Sequence, residues 1–131
     1  MEHLEELIAW LMTFPQWGDA DLTVDITGTA PGDCGLFPLG VEVLESREDV
    51  LGSRHSRLRQ QFLLRRTGVR GADAAAWLLA FQQWAARHAD DAPQFGTRQV
   101  LRAEKGRLIN AAQTGTGTYE VRLTAEYNEG E

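Results

Sequence analysis

Leu4, Leu7, Ile8 and Leu11 recur at i, i+3, i+4 and i+7, which predicts a helix over residues 2–14. Glu2, Glu5 and Glu6 sit where the helix dipole favours acids, and Pro15 followed by Gly18 closes the segment. Leu22, Val24 and Ile26 then alternate with Thr23, Asp25 and Thr27, the two-residue period of a half-buried strand. Residues 28–40 contain four glycines and two prolines and read as a loop. The apolar cluster inside it, Leu36-Phe37-Pro38-Leu39, either folds back onto the core or docks on another subunit, and the balance leans to docking. Residues 41–48 predict a second strand. Residues 54–67 predict a long third, with Leu58, Phe62 and Leu64 on one face and Arg57, Arg59 and Arg65 on the other.

Asp73 suits the N-cap or first turn of a helix reaching about residue 89, whose apolar stripe is Trp77, Leu78, Phe81, Trp84 and Ala85. Asp90-Asp91-Ala92-Pro93 ends it. Residues 99–112 are ambiguous between helix and strand, because Gly106 interrupts the spacing of Val100, Leu101, Leu108 and Ala112. Residues 118–127 form the clearest strand, with Tyr119, Val121, Leu123, Ala125 and Tyr127 facing one way and Glu120, Arg122, Thr124 and Glu126 the other. Residues 128–131 look frayed. The order α-β-β-β-α-β-β implies a single α+β domain over residues 1–131. Its mainly antiparallel or mixed sheet has four to five strands, with two helices packed on one face. One long helical connection between strands disfavours a repeated βαβ fold.

A chain of 131 residues with 43% apolar side chains can bury a core without disulfides or metals. The longest apolar stretches, around residues 7–12 and 74–81, are too short to span a bilayer, so no membrane role is expected. The acidic start Met1-Glu2-His3-Leu4-Glu5-Glu6 is unlike a signal peptide, and a single cysteine excludes an intramolecular disulfide and fits a reducing compartment.

Charge is unevenly spread. Residues 1–49 carry eleven acids and one base, Arg47, whereas residues 50–72 carry no acid and six arginines. Residues 73–131 are nearly balanced, and the net charge is −6 with a pI near 5.0, which argues against sequence-specific or general nucleic-acid binding. Twelve of the thirteen bases are arginine, the residue suited to bidentate pairing at interfaces. The arginine block reads as a nucleic-acid stripe, as the basic half of a surface that meets the acidic first third within the chain or on a neighbour, or as a solvated strand face with weak ion pairs. The last is the default.

Candidate chemistry is sparse. Cys34, in Pro31-Gly32-Asp33-Cys34-Gly35, would need a histidine within hydrogen-bond reach to act as a nucleophile, and His55 and His88 are the candidates besides His3. Neither stands in a recognisable motif. One cysteine and three isolated histidines do not make a zinc site, and no cofactor is implied. Thr114-Gly115-Thr116-Gly117 lacks the lysine of a phosphate loop and reads as a hairpin turn. Glu104-Lys105-Gly106-Arg107 reads as a solvated bulge or turn, with an ion-pair knot as the alternative. Trp77 and Trp84 lie seven apart on one helical face and belong to the core, while Trp10 and Trp17 are open between partner contact and packing under a loop.

Several segments carry a family resemblance. They are Trp10-Leu11-Met12-Thr13-Phe14-Pro15, Gly35-Leu36-Phe37-Pro38-Leu39-Gly40, Arg47-Glu48-Asp49-Val50-Leu51-Gly52, Trp77-Leu78-Leu79-Ala80-Phe81-Gln82, Arg102-Ala103-Glu104-Lys105-Gly106-Arg107-Leu108 and Gln113-Thr114-Gly115-Thr116-Gly117-Thr118-Tyr119. In this order they resemble the small minor capsid or tail-terminator proteins of long-tailed bacteriophages and prophages, over most of residues 4–127. The resemblance implies an α+β fold with helices on one sheet face and settles residues 99–112 as strand. It implies a non-enzymatic structural subunit forming a ring, typically sixfold, at the head-proximal end of the tail tube. Such a ring stops tube growth and supports head–tail joining. The implied partners are copies of itself, the tail tube protein and a head-completion or connector protein. The implied location is the virion tail or neck, after assembly in the host cytoplasm. A head-completion or connector role is the alternative, and a small enzyme or binding domain using Cys34 and His55 the second. No site residues come with the resemblance. The charge pattern itself nominates Arg54, Arg57, Arg59 and Arg65 on one side of a subunit interface, and Leu36, Phe37, Glu42 and Asp49 on the other.

Overall fold

Four strands of fifteen or sixteen residues carry most of the backbone hydrogen bonding. The structure, a computed structural model, describes residues 2–18, 22–25, 33–69, 71–111 and 115–130. In chain order the elements are α1 (Glu2–Leu11), β1 (Leu22–Val24), β2 (Cys34–Glu48), β3 (Arg54–Val69), α2 (Ala72–Arg87), a 3-10 turn (Ala89–Asp91), β4 (Thr97–Ala111) and β5 (Thr116–Gly130). The sheet runs β1-β2-β3-β5-β4. Its ladders are antiparallel except the short parallel pairing of β1 with β2. The result is the expected α+β domain, with a five-stranded mixed sheet and two helices.

β3 and β5 pair without a break from His55↔Gly130 to Val69↔Thr116. This register sets Leu58, Phe62 and Leu64 beside Tyr127, Leu123 and Val121 on the face that the helices cover. The side chains of α2 that reach this layer are Trp77, Leu78, Phe81 and Ala85, as the stripe predicts. α1 ends at Leu11, earlier than the expected residue 14, because tight turns follow it: Thr13 N–H donates to the Trp10 carbonyl and Trp17 N–H to the Phe14 carbonyl. Unwinding lets Phe14 and Trp17 turn inward. The Phe14 ring meets Trp77 and Phe81 edge-on at 5.5 Å, while Trp77 and Phe81 stack at 5.6 Å. Trp10 and Trp17 are both buried, so packing wins over partner contact for that pair. Their neighbourhood also satisfies the indoles: Trp10 Nε1 donates to the His88 carbonyl at 3.2 Å, and Trp77 Nε1 to the Gln16 carbonyl at 2.8 Å.

Two expectations need correction. Residues 34–40 are strand, not loop, and the rest of the expected loop, residues 28–32, lies outside the described residues, as do Ile26 and Thr27. Pro38 and Gly40 flank a register shift on the edge side of the β2–β3 ladder, with Gly40 at φ 105°, so the strand keeps its breakers at a bulge. Second, residues 128–130 are not frayed: Asn128 pairs with both Arg57 and Thr97. Of the two places open to Asp73, it takes the first turn of α2, and Gly71 is the N-cap. Residues 99–112 are resolved as strand through Ala111, and the irregularity at Gly106 is a register shift between Glu104 and Arg107. Gly106 faces α2 there: a Cβ would meet Gln82 Oε1 at 2.8 Å and the Leu78 side chain at 3.0 Å. β4 and β5 form a hairpin as the Thr-Gly-Thr-Gly sequence predicts, with Gly115 at φ 87°.

Gly96 lies where the chain enters β4, and a Cβ there would overlap the Asn128 carbonyl oxygen and the Tyr127 ring. Backbone on the facing strand cannot rotate aside. Gly96→Ala is expected to lower stability by about 3 kcal/mol. Gly115→Ala, with open space around it but a positive φ, should cost about 1 kcal/mol. Urea unfolding of the two variants checks the ranking.

Candidate functional site

The face of the sheet turned away from the helices is built by the odd positions of β3 and the even positions of β5. Arg59 lies 3.4 Å from Glu42 on β2 and 3.9 Å from Glu126 on β5. Glu126 in turn accepts from Arg102 on β4 at 2.8 Å, and Arg102 approaches Glu104 at 3.7 Å. Further along, Arg65 Nε donates to Glu120 at 2.9 Å, and Arg107 lies 3.7 Å from the same carboxylate. Arg57 donates to Asn128 Oδ1 at 2.7 Å. Between these rows Thr124 is fully buried, accepting from Gln61 and donating to Glu104. Arg122 Nε is buried there with no hydrogen-bond partner among the described residues.

This arrangement answers the question left open by the charge pattern. Arg59 and Arg65 of β3 meet their acids inside the chain, because hairpin register sets Glu42 opposite Arg59 and the long-range ladder sets Glu120 opposite Arg65. Arg59 and Glu42, assigned above to opposite sides of a subunit interface, are therefore partners of one another. Arg54 is exposed and donates to Ser46 at 3.0 Å. Leu36 is 0% exposed in the core, and that removes it from any docking surface. Phe37 is half-buried beneath the Arg65 guanidinium, 4.7 Å from its ring centroid. The Glu104–Arg107 segment is both a bulge and part of the ion-pair network.

Cys34 and His55 are not brought together. Cys34 pairs with Arg66 and His55 with Arg47, so the two stand near opposite ends of the β2–β3 ladder. At ~3.3 Å per residue that is about 36 Å. Cys34 is 2% exposed, and burial pushes its thiol up despite the opposing charge of Arg66, whose Nη1 lies 3.9 Å from the sulfur. A thiol–imidazole pair from these residues has no geometric basis. His88 closes α2 beside Asp91 at 3.4 Å and tilts against Trp84 at 5.3 Å. Among the described residues no group of three or more His, Cys, Asp or Glu is placed to hold a metal ion, and no helix is long and apolar enough to cross a membrane.

Two features escaped the sequence reading. The first is an arm, the outer part of the β2–β3 hairpin from about residue 39 to residue 57, which runs beyond the helices while β3 stays paired with β5 from His55 onward, so that only the turn and its flanks pass the sheet. Val41 and Val43 lie on the helix side of the sheet but beyond the helices, 56% and 60% exposed. At the tip, Asp49 Oδ1 accepts from the backbone of Leu51 and Ser53, its Oδ2 lies 3.0 Å from His55 Nε2, and Gly52 N–H donates to the Asp49 carbonyl. The turn is thus pinned, yet it presents Val50 at 101% and Leu51 at 88% exposure. Aspartate at the first position and glycine at the fourth position of Asp49-Val50-Leu51-Gly52 are the usual signal for such a turn. The second feature is a cleft of ≈ 690 Å³ between α1 and the end of α2. The Trp10 and Trp84 rings, 4.8 Å apart, line it with Ala9, Pro15 and Pro93, and Glu6 and Asp91 stand at its polar margin.

No protein-family model matches the chain, and no curated protein matches it.

Two outcomes follow from this geometry. Cys34 should resist iodoacetamide in the folded protein and react only as fast as the chain opens, which mass spectrometry of timed samples will read. Hydrogen bonds from His55 and the turn backbone lower the Asp49 carboxyl, and a hydrogen bond from Arg102 lowers Glu126. Both folded values lie below the unfolded ones, so the stability they contribute is complete above the unfolded carboxylate range and is lost as pH falls through the folded values. The urea midpoint should therefore drop in acid, and drop less steeply for Glu126→Gln.

Proposed function

We propose that this chain is a tail-terminator-type ring subunit of a long-tailed phage or prophage, a non-enzymatic structural protein that caps the tail tube and joins it to the head. The observation that carries the reading is the arm. A small domain that pins a turn with five side-chain and backbone hydrogen bonds, and leaves Val50 and Leu51 wholly outside its core, carries apolar surface that its own fold does not use. A ring subunit has neighbours to use it. The α+β architecture, with both helices packed together by the Trp10, Phe14, Trp77, Phe81 and Trp84 rings, agrees with the fold that the resemblance implies. The partners on this reading are further copies of the chain, the tail tube protein and a head-completion or connector protein. The place is the virion neck, after assembly in the host cytoplasm.

Electron microscopy of particles from a phage or prophage deleted for the gene tests it. Overlong tails are the expected result, because nothing would stop tube growth. Tails of normal length lying free beside filled or leaking heads would favour the head-completion or connector role instead. Intact infectious particles would overturn both.

A further inference from the structure

Where the arm leaves the sheet, on the face turned away from the helices, the ends of β2, β3, β4 and β5 enclose a pocket of ≈ 570 Å³. Arg47, His55, Arg57, Arg98 and Asn128 line it, and Glu45 shares the wall, set opposite Arg57 in the hairpin. Glu129 and Ser56 complete the rim, but strand alternation turns both side chains to the helix side. Glu129 stands there beside Tyr127, whose phenol is pushed up by burial and then by that charge. The side chains on the pocket's own face are therefore three guanidiniums against one carboxylate, with His55 engaged by Asp49 at 3.0 Å. Arg57 spends its bond on a neutral partner, Asn128 Oδ1, which leaves the Asn128 amide nitrogen as a further donor. Arg47 and Arg98 make no hydrogen bond or ion pair with any other described residue. Arg98 also holds φ 50°, at the register shift between Thr97 and Val100. An arginine gains nothing locally from that left-handed conformation, whereas a bulge of this kind re-aims a side chain.

We propose that this pocket binds a phosphate dianion, as the free ion or as the terminal group of a small monoester. A guanidinium fork grips two phosphate oxygens at once, and two unpaired forks from different strands share the oxygens of one tetrahedral group. The Asn128 amide supplies a neutral donor beside them. A phosphate charge of about −1.5 to −2 at neutral pH matches the excess of two positive charges on the pocket's face. A carboxylate or a phosphodiester, each with a single charge, would leave one guanidinium without a counter-charge. The pocket is wider than a bare ion needs, so the alcohol portion of a monoester fits beside the phosphate. This site stands whether or not the chain assembles into a ring.

Titration of the full ¹⁵N-labelled chain in a phosphate-free buffer, followed by amide chemical shifts, tests it. The probes are inorganic phosphate and glycerol 3-phosphate, with succinate and a short oligothymidylate lacking terminal phosphates as comparisons. Saturable shifts are expected at His55, Thr97, Arg98 and Asn128 with at least one of the two phosphate probes. Saturation by glycerol 3-phosphate alone assigns the site to a monoester, and saturation by inorganic phosphate alone assigns it to the free ion. Arg98→Gln and Arg47→Gln should each weaken binding roughly tenfold or more, the effect of losing one charge-assisted fork. Arg87→Gln, which removes the same charge from the exposed end of α2, should leave it unchanged. Melting temperatures check folding, and Arg47→Gln carries the test alone if Arg98→Gln unfolds, because Arg47 has no unusual backbone angle. Absence of saturable shifts with both phosphate probes into the tens of millimolar overturns the site. Equal weakening by Arg87→Gln overturns it too, since overall charge alone would then explain binding. Succinate or the oligothymidylate binding as tightly as the better phosphate probe overturns the phosphate dianion as its ligand.

Discussion

The unbroken pairing of β3 with β5 is the constraint on which the remaining structure depends. Its fifteen residue pairs join segments whose midpoints are about sixty positions apart in the chain, so nothing local sets their register. Two patterns set it together. Leu58, Phe62 and Leu64 must face the helices, and Arg57, Arg59 and Arg65 must face away, where Asn128, Glu126 and Glu120 stand opposite them. A slip of one residue would bury the arginines and expose the leucines at every position. Both edges of the sheet grow from this ladder: β2 folds back on β3, and β4 folds back on β5.

The same ladder redirects attention from the most conspicuous feature of the sequence. Six arginines without an acid look like a surface awaiting a partner. In the fold Arg59 and Arg65 meet Glu42, Glu126 and Glu120, Arg57 meets Asn128 and Arg54 meets Ser46, with Arg66 turned to the other face over Trp77 at 4.3 Å; Arg70 lies outside the described residues. Partly exposed pairs of this kind contribute little each, and their value lies in register and in keeping a broad sheet face polar. Apart from Arg122 Nε, and from exposed polar side chains that water serves, the groups left without partners among the described residues are apolar, at the tip of the arm, where the chain leaves the layered core, and in the cleft where α1 crosses the end of α2.

Strictly periodic elements were legible in the sequence. The alternation of Tyr119 through Tyr127 and the stripe from Trp77 to Ala85 both appear in the structure on the faces expected of them. Bulged elements were legible only in part. The bulge at Glu104–Arg107 was read from its glycine, but Pro38 and Gly40 read as breakers, whereas a strand near an edge holds them at a register shift that only the pairing reveals. The extra turns after Leu11 arise because Phe14 and Trp17 gain a buried aromatic site, a tertiary reward invisible to local spacing. The candidate surfaces were hidden for a related reason. Trp10 and Trp84 are distant in sequence, so their shared cleft exists only after α1 docks on α2. The tip, by contrast, carried its signal in Asp49 and Gly52, and was overlooked because the charged residues around it drew the reading.

Hydrogen exchange by mass spectrometry, run on the wild-type chain at low and at high concentration, tests the division between a self-satisfied sheet and an arm left for neighbours. Protection across the paired centre of β3 and β5 is expected to be high and the same at both concentrations. Residues 49–53 should gain protection as concentration rises. A gain confined to the sheet strands, with the tip unchanged, would contradict the account.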